Sequence, residues 1–273
     1  MRLIGFESNG ERHIGRVEDG RVHDLGEIGA FYASGGQVAD TGQVFDRAEL
    51  TEAPCVPVTS RVFCVGVNYL DHAAESKSMV NMDLPEHPVV FGRWAQSLNV
   101  HDAVVPLPPN EPGLDFEAEL AVIIKDEVWL ADQDTALDHV LGYSAFNDLS
   151  ARTKQRHTPQ FTLGKNPDES GPLGPELVTA DELPRGAEGL RIMTRVNGEV
   201  MQDANTSLLI HSIPKIIEYI TDTVTLLPGD VIASGTPGGV GAARPPPVFC
   251  GEGDVVEVEI EQIGVLRNTF RAR

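Results

Sequence analysis

Three acidic residues stand in two short apolar stretches of this sequence. Glu117 and Glu119 lie in DFEAELAVII, and Asp148 ends the run GYSAFND. Side chains alternate along an extended strand, so Glu117 and Glu119 would share one face while apolar residues form the other. A second strand ending at Asp148 would bring a third carboxylate beside them. Three desolvated carboxylates repel one another unless a hard cation compensates them, so the pattern is typical of a Mg²⁺-type site.

The same alternation occurs near the end of the chain, where Glu257, Glu259 and Glu261 stand in VVEVEIEQI. There the ordinary explanation is a half-exposed strand with a solvated acidic face, because alternating polar positions mark most half-buried strands. Spacing alone therefore leaves a metal site and a solvated face both open for either segment.

Composition excludes several classes of function. The 273 residues carry a net charge of −20, whereas nucleic-acid binding requires clusters of Lys and Arg. The three cysteines show no CxxC spacing, no apolar run approaches membrane-spanning length, and the first residues lack the apolar core of a leader. We therefore expect a soluble cytoplasmic protein that binds neither nucleic acid nor membranes. A small anionic substrate stays possible, because a cation and a few basic residues set the local field.

Turn signals divide the chain. Asn9-Gly10 and Asp19-Gly20 predict two hairpin turns, hence a three-stranded meander, in a small N-terminal β-rich domain over residues 1–58. Residues 59–273 form the predicted catalytic domain, with a third hairpin turn at Asn197-Gly198. Because strands outnumber helices, the predicted fold class is β-rich α+β.

Three further segments position the candidate residues. RVFCVGV predicts a buried strand, NYLDHAAESK a helix after it, and SMVNMDLPEHP a loop. SLLIHSIPKIIEYITDT predicts an amphipathic helix with its proline near the start. The Gly- and Pro-rich segment 155–175 predicts a long irregular connection, which is more often a functional loop than an accident.

His72 and Glu75 are three residues apart in LDHAAES and would share one face of the predicted helix. Glu75 could then orient and charge-stabilise His72 as a general base acting on water. Taken alone, the spacing is better explained by a solvated helix face with a chance polar pair, because such pairs are common on helix surfaces. A zinc HExxH motif is excluded, because no second histidine stands at the required position.

Polar residues that could bind a ligand follow Asp148. Arg152, Gln155 and Lys165 could hold a substrate carboxylate or an enolate oxygen, or could simply neutralise acidic surface. The loop SGTPGGVG at 234–241 lacks the ending of a phosphate-binding P-loop. It could bring backbone N–H groups and the Thr236 hydroxyl to a ligand, or it could be a purely structural turn.

Taken together, six strings in order resemble the fumarylacetoacetate hydrolase family, in its branch of acylpyruvate hydrolases and hydroxyhepta-dienedioate isomerases. The resemblance covers residues from about 61 to 267. The strings are VGVNYLDHAAE, DFEAELAVII, GYSAFNDLSAR, QFTLGK with PLGP, RVNGEVMQDANTS and PGDVIASGTPGGVG. The resemblance implies a mixed β-sandwich roll with a small N-terminal domain, and usually a homodimer.

The resemblance also implies roles for individual residues. Glu117, Glu119 and Asp148 fall on the family's Mg²⁺ or Mn²⁺ ligands, and the tail acids keep the solvated interpretation. His72 and Glu75 fall on a catalytic dyad carried on a lid. Lys165 falls on a catalytic, substrate-binding lysine. The remaining matches fall on other substrate-binding positions: Arg152, Gln155, Thr236 and Arg93.

The implied activity is metal-dependent hydrolysis of a carbon–carbon bond in a 1,3-dicarbonyl acid, such as an acylpyruvate or an aromatic-ring-cleavage product. In it, His72 oriented by Glu75 activates water, and the ion and Lys165 stabilise the leaving enolate. The alternative is decarboxylation or isomerisation of keto-diacids or 2-hydroxy-dienoates, and a non-catalytic keto-acid binder is a third hypothesis. Thr153, Arg93 and the stretch after Lys165 depart from the common family pattern, so the substrate itself stays open.

Overall fold

Most of the chain enters β-strands. The computed structural model describes residues 1–37, 40–80 and 86–273, with side chains at all of these except 76–80. The strands of the first half are β1 (Arg2–Ser8), β2 (Glu11–Glu18), β3 (Arg21–Glu27), β4 (Val44–Asp46), β5 (Glu52–Ala53), β6 (Arg61–Gly66), β7 (Val89–Trp94), β8 (Leu98–Asn99), β9 (Val104–Leu107), β10 (Leu114–Asp115) and β11 (Ala118–Ile124).

The second half continues the same strand-rich pattern, and helices are few and short. The remaining strands are β12 (Val140–Asn147), β13 (Ser150–Ala151), β14 (Gly171–Thr179), β15 (Arg191–Val196), β16 (Glu199–Asn205), β17 (Val231–Ala233), β18 (Val255–Ile260) and β19 (Gly264–Ala272). The α-helices are α1 (Ile28–Ala33), α2 (Leu70–Val80), α3 (Arg152–Gln155), α4 (Thr162–Lys165) and α5 (Ile213–Thr221).

Two large sheets face each other. The larger runs in the order β4-β3-β2-β1-β14-β12-β11-β17-β6-β7, with β5 beside β1 and β8 beside β14. The smaller runs β16-β15-β18-β19-β9, and the short pair β10-β13 lies apart. The predicted α+β class, rich in sheet, is confirmed.

The N-terminal meander has the predicted form. Its strands β1, β2 and β3 pair in sequence, with turns at Asn9-Gly10 and Asp19-Gly20 whose residues all have positive φ. Turns of this kind match the right-handed twist of the flanking strands. Strand β1 then pairs with β14, so the meander is continuous with the large sheet. The division at residue 58 stays a prediction.

Strand β11 lies at the centre of the molecule and is buried on both faces. Ala118, Leu120, Val122 and Ile124 pack in the main core between the two sheets, together with α5. Ala121 and Ile123 pack in the core on the opposite side of the large sheet, with α1. Because Glu119 alternates with Leu120 and shares its face with Ala121, its side chain emerges at the end of this second core.

The predicted irregular connection over 155–175 is wrong in part. It contains the short helix α4, and from Gly171 onward the chain forms β14, a central strand between β1 and β12. The Gly174-Pro175 step, which suggested a break, lies where the register between β12 and β14 shifts, so a bulge accommodates it within the strand.

Two other segments differ from expectation in their bounds. Helix α2 continues through residues 78–80, which were predicted as loop, and residues 81–85 of that predicted loop lie outside the described residues. Helix α5 begins only at Ile213, so Pro214 stands in its first turn, where its missing N–H is not needed.

Among the helices of the described residues, none has the length and apolar character that a membrane crossing requires.

Candidate metal centre and catalytic cavity

Strand pairing brings the three acidic residues together. Glu117 immediately precedes β11, and Ala118 pairs with Asn147 at the end of β12. Asp148 follows β12, so it lies opposite Glu117, whose carbonyl accepts a hydrogen bond from the Asp148 N–H at 2.9 Å. One carboxylate oxygen each from Glu117, Glu119 and Asp148 lies within 4.8 Å of the other two. All three residues are at most 4% exposed.

Two cations contact this carboxylate cluster from the cavity side. Lys165 Nζ, at the end of α4, donates to Glu117 Oε2 at 2.6 Å and to Asp148 Oδ2 at 2.5 Å. Arg152 Nη1, at the start of α3, lies 2.6 Å from Glu117 Oε1. Glu119 accepts instead from the backbone N–H of Gly235 at 3.0 Å. Negative charge is thus compensated unevenly, with Glu119 the least compensated of the three.

Arg93 on β7 lies behind the cluster rather than along the cavity wall. Its guanidinium is completely buried, with Nη1 3.1 Å from Asp148 Oδ1 and in contact with the carbonyl of Lys165. Its Nη2 donates to the hydroxyl of Ser170 at 2.8 Å, and its plane lies over the ring of Phe146. In this position Arg93 connects the carboxylate of Asp148 to the backbone of Lys165.

The ionisation of the cluster follows from this arrangement. Burial alone would raise the pKa of Glu117, but the charges of Lys165 and Arg152 outweigh it and hold that pKa below its ordinary range. Burial, and then the charges of Asp148 and Glu117, raise the pKa of Glu119 well above its ordinary value. Burial would lower the pKa of Lys165, but Asp148 and Glu117 raise it overall, so this lysine stays charged.

The donor set fits a hard divalent cation. It consists of carboxylate oxygens, the ligands that Mg²⁺ and Mn²⁺ prefer, and they converge from two adjacent strands. Although Asp148 Oδ1 forms an ion pair with Arg93, it accepts no hydrogen bond from any described residue. Buried carboxylate oxygens normally accept hydrogen bonds, so an unused one among three clustered acids is suited to a metal ligand.

His72 and Glu75 form the predicted contact on α2. The His72 Nδ1 atom lies 3.3 Å from Glu75 Oε2, while Glu75 Oε1 accepts from the Gly239 N–H at 2.7 Å. His72 is 7% exposed and lines the same cavity as Glu117 and Glu119. With Nδ1 engaged by the carboxylate, Nε2 is the ring nitrogen that can exchange a proton in the cavity.

The cavity has a volume of about 350 Å³, in the range typical of small-molecule sites. One end is polar and carries Glu117 and Glu119, while much of the remaining wall is apolar. The lining residues are Val65, Gly66, Val67, His72, Val89, Phe91, Glu117, Glu119, Arg152, Gln155, Arg156, His157, Thr158, Pro159, Phe161, Lys165 and Thr236. Val67 and Phe161 have φ of 57° and 62°, which is uncommon for residues with bulky side chains and is found mostly at functional sites.

Most of the predicted site residues therefore surround one cavity. Lys165, Arg152, Gln155, Thr236 and His72 line it directly. Glu75 does not line the cavity but contacts His72, which does. Asp148 and Arg93 form an ion pair behind the residues that line it. Their individual roles stay predictions.

The tail acids lie apart from this site. Glu257 and Glu259 are half-buried on β18, with Glu259 paired to Arg195 at 2.7 Å, and Glu261 is exposed.

Asp115 is a site residue that the sequence reasoning missed. It is completely buried, and its oxygens accept from Arg152 Nε at 2.8 Å and from the N–H groups of Gly241 at 2.8 Å and Ala242 at 3.0 Å. It therefore fixes Arg152 against the end of the glycine-rich loop. The signal was available, since Asp115 begins the same two-residue alternation as Glu117.

Glu111 is a second missed residue. Its carboxylate accepts from the N–H groups of Gly113, Thr153 and Lys154 at 2.9, 3.2 and 3.2 Å. Two of these N–H groups are orphan donors at the start of α3, so Glu111 caps the turn that presents Arg152 and Gln155.

Comparison with known proteins agrees with this geometry. A family model described as fumarylacetoacetate (FAA) hydrolase C-terminal matches residues 61–271. Human oxaloacetate tautomerase FAHD2A, mitochondrial, is 42% identical over 228 residues, which cover 82% of this chain and 71% of the human protein. The structure of 2-hydroxyhepta-2,4-diene-1,7-dioate isomerase from Mycobacterium marinum is 32% identical, with a TM-score of 0.83, and covers 100% of this chain and 99% of its own. Fumarylacetoacetate hydrolase from Exiguobacterium antarcticum is 33% identical, with a TM-score of 0.85 and 100% of both chains covered.

Proposed function

The chain belongs to the fumarylacetoacetate hydrolase family and is an enzyme of that family, and from this premise we propose that it forms the enolate of a small 2-oxo acid. The reaction we favour is keto–enol tautomerisation of a 2-oxo diacid of the oxaloacetate kind. Support comes from the similarity to oxaloacetate tautomerases and to a hydroxy-dienedioate isomerase. Both names describe proton transfers next to a 2-oxo group, which conserve the mass of the substrate.

Glu117, Glu119 and Asp148 would hold Mg²⁺ or Mn²⁺. When bound, such an ion would supply Lewis-acid stabilisation of negative charge on the oxo oxygen of the substrate. The charges around the cluster suit this role. Counting Asp115 with the triad gives four carboxylates, which face the three cations Arg93, Arg152 and Lys165. A divalent cation would turn this slight excess of negative charge into an excess of positive charge that favours an anionic substrate.

The observation that carries the proposal is the position of Lys165. Its ammonium group is buried, charged and hydrogen-bonded to two of the three metal-binding acids at the polar end of the cavity. A fixed cation there is a preorganised donor for the oxygen on which negative charge develops when a proton leaves the neighbouring carbon. The same donor would serve every reaction that passes through a 2-oxo acid enolate.

The proton itself is assigned to His72. With Glu75 holding Nδ1, Nε2 would accept a proton from C3 of the keto acid while Lys165 donates a hydrogen bond to the oxygen at C2. Delivery of a solvent proton to that oxygen gives the enol, and His72 Nε2 returns the proton taken from C3 to solvent, so the base is regenerated. The reverse sequence gives the keto form.

A second candidate is the carbon–carbon bond hydrolysis that the sequence predicts, and the His72–Glu75 pair favours it. His72 would take a proton from water, whose oxygen adds to the distal carbonyl of a 1,3-dicarbonyl acid. The carbon–carbon bond then breaks, its electron pair passes to the carbon that becomes C3 of the enolate, and that carbon takes the proton from His72. Decarboxylation of a keto-diacid would use the same enolate. A homodimer stays part of the proposal on the strength of the resemblance, and a cytoplasmic location on the strength of the cysteine pattern.

Product analysis distinguishes these reactions. The protein would be chelated, then assayed with oxaloacetate and a small acylpyruvate panel before and after addition of Mg²⁺ or Mn²⁺. We expect metal-dependent keto–enol interconversion of oxaloacetate without change of mass. Two carbonyl-acid fragments would favour hydrolysis, and release of CO₂ would favour decarboxylation. Absence of any metal-dependent turnover would contradict the proposal and leave a keto-acid binder.

A matched pair of variants controls this assay. Lys165→Met removes the buried ammonium group and should abolish turnover. Lys215→Met removes an exposed lysine of α5, outside the cavity, whose contact is an ion pair with Glu218, and turnover should be unchanged.

A further inference from the structure

Gln202 on β16 is 1% exposed and connects three parts of the site. Its Oε1 accepts from the backbone N–H of Ala118 at 3.0 Å, between two of the metal-binding acids, and from the Thr194 hydroxyl at 2.7 Å. Its Nε2 donates to Thr236 Oγ1 at 2.8 Å and to the carbonyl of Pro237 at 2.8 Å. Both lone pairs and both hydrogens of the side-chain amide are therefore used.

Two of these partners fix which way round the amide lies. A backbone N–H can only donate, so the atom beside Ala118 must be the oxygen. A backbone carbonyl can only accept, so the atom beside Pro237 must be the nitrogen. The orientation of Gln202 therefore follows from an obligatory donor at one end and an obligatory acceptor at the other, without assumptions about hydroxyl hydrogens.

The orientation of the Gln202 amide determines whether the Thr236 hydroxyl donates or accepts hydrogen bonds. A hydroxyl has one hydrogen to donate, and Thr236 Oγ1 already accepts from Gln202. Across the described part of the chain, no other group forms a hydrogen bond with that hydroxyl, and Thr236 lines the cavity. Its O–H is therefore available to an acceptor inside the cavity.

The acceptor would lie close to the metal-binding acids. The preceding residue, Gly235, donates its backbone N–H to Glu119 Oε2 at 3.0 Å. Thr236, which lines the cavity, is therefore one residue from the backbone N–H that contacts Glu119. An ionised carboxylate only accepts hydrogen bonds, so a hydroxyl constrained to donate matches the carboxylate of a 2-oxo acid.

On this basis we propose that Gln202 is a positioning residue that makes the Thr236 hydroxyl a hydrogen-bond donor to the carboxylate of the substrate. The proposal rests on the proposed function, since it requires a 2-oxo acid bound beside the three acids. It assigns Gln202 a role in substrate affinity although its side chain does not line the cavity.

The test measures binding of oxalate, a planar diacid that cannot react, by calorimetry on the Mg²⁺-loaded protein. The variants are Thr236→Val, Thr236→Ser, Gln202→Met, Gln202→Glu and the double variant Thr236→Val with Gln202→Met. Valine keeps the shape of threonine without the hydroxyl, and serine keeps the hydroxyl. Glutamate keeps the shape of Gln202 but replaces the donor by an acceptor, so the Thr236 O–H would turn towards it and away from the cavity. Thermal unfolding and Mg²⁺ affinity are measured for each variant.

We expect Thr236→Val to weaken oxalate binding by roughly 10- to 100-fold, the range for one hydrogen bond to a charged group. Thr236→Ser should restore most of the affinity. Gln202→Glu and Gln202→Met should weaken binding even though Thr236 is present. Adding Gln202→Met to Thr236→Val should then produce little further loss, because Gln202 acts through the hydroxyl that is already missing.

Four outcomes overturn the inference. If the effects of Thr236→Val and Gln202→Met on oxalate affinity multiply, or if Gln202→Glu binds oxalate as the wild type does, Gln202 does not act through Thr236. If a Gln202 variant fails to fold, the ratio of oxalate affinities for Thr236→Val and Thr236→Ser decides, and equal affinities refute the donor role. A wild type that does not bind oxalate with Mg²⁺ refutes the proposed function itself, and the inference with it.

Discussion

The carboxylate of Glu75 accepts a hydrogen bond from the backbone N–H of Gly239 at 2.7 Å, across 164 residues of sequence. This contact attaches α2, which carries His72, to the glycine-rich loop that carries Thr236. His72 and the glycine-rich loop are therefore held in fixed relative positions by a residue that also contacts the imidazole ring.

Glu75→Gln tests the charge of this residue separately from its position. The amide oxygen can still accept from Gly239, but the negative charge beside His72 is gone, so we expect kcat to fall by about 10²- to 10⁴-fold with little change in thermal unfolding. Asp71→Asn, the same change at an exposed position of α2, should leave kcat within about twofold. Equal kcat values in the two variants would show that Glu75 does not act on His72.

Lys165→Met should change metal affinity and activity in opposite directions. The ammonium group lies next to two of the metal-binding acids, so its removal should strengthen Mn²⁺ binding by about tenfold or more. Activity should nevertheless be lost, because the donor for the enolate oxygen is missing. Calorimetric titration with Mn²⁺ measures the first effect, with Lys215→Met as the control. Weaker Mn²⁺ binding in Lys165→Met would contradict the charge arrangement described above.

Metal binding should depend on pH through Glu119. Its raised pKa means that the metal-free folded protein keeps a proton that the unfolded chain loses at lower pH. This contribution to stability is present below the ordinary pKa of a glutamate and is lost as pH rises through the raised value. Metal binding requires the ionised form, so Mn²⁺ affinity should rise with pH and binding should release a proton. Calorimetry in two buffers of different ionisation enthalpy counts that proton, and an Mn²⁺ affinity that does not change with pH would be the contrary result.

Arg93 should matter for stability. Arg93→Met leaves Asp148 Oδ1 without its ion-pair partner and removes contacts to Lys165 and Ser170, so we expect the free energy of unfolding of the metal-free protein to fall by about 3–5 kcal/mol. Arg185→Met, at an exposed arginine, should cost at most about 1 kcal/mol. Denaturant unfolding compares the two variants. Similar losses would mean that the buried guanidinium contributes no more than a surface charge.

The acidic cluster was predictable from a local pattern combined with the family resemblance, because the spacing alone also fits a solvated face. The period of two in DFEAE places Glu117 and Glu119 on one face. The strand that begins beside Glu117 and the strand that ends before Asp148 are both visible as apolar runs. The three hairpin turns were predictable from the local sequence, since Asn-Gly and Asp-Gly specify the turn type directly.

What the sequence could not show depends on contacts between distant parts of the chain. The Gly239 partner of Glu75, the Arg93 contact with Asp148 and the Gln202 contact with Thr236 each join separate strands or loops. Strand β14 was missed because Gly174 and Pro175 resemble a break, although β14 accommodates them in a bulge against β12. Only the paired sheet shows that this segment is central.

The most direct test of the account is exchange of hydrogen for deuterium at C3 of pyruvate in D₂O, followed by NMR. Pyruvate is a small 2-oxo acid with no bond for the enzyme to cleave, so exchange reports formation of the enolate and nothing later. The account predicts exchange that is fast with Mg²⁺ or Mn²⁺, absent after chelation, and absent in Glu119→Gln and Lys165→Met. Exchange at the same rate in the chelated protein, or none in the metal-loaded wild type, would contradict it.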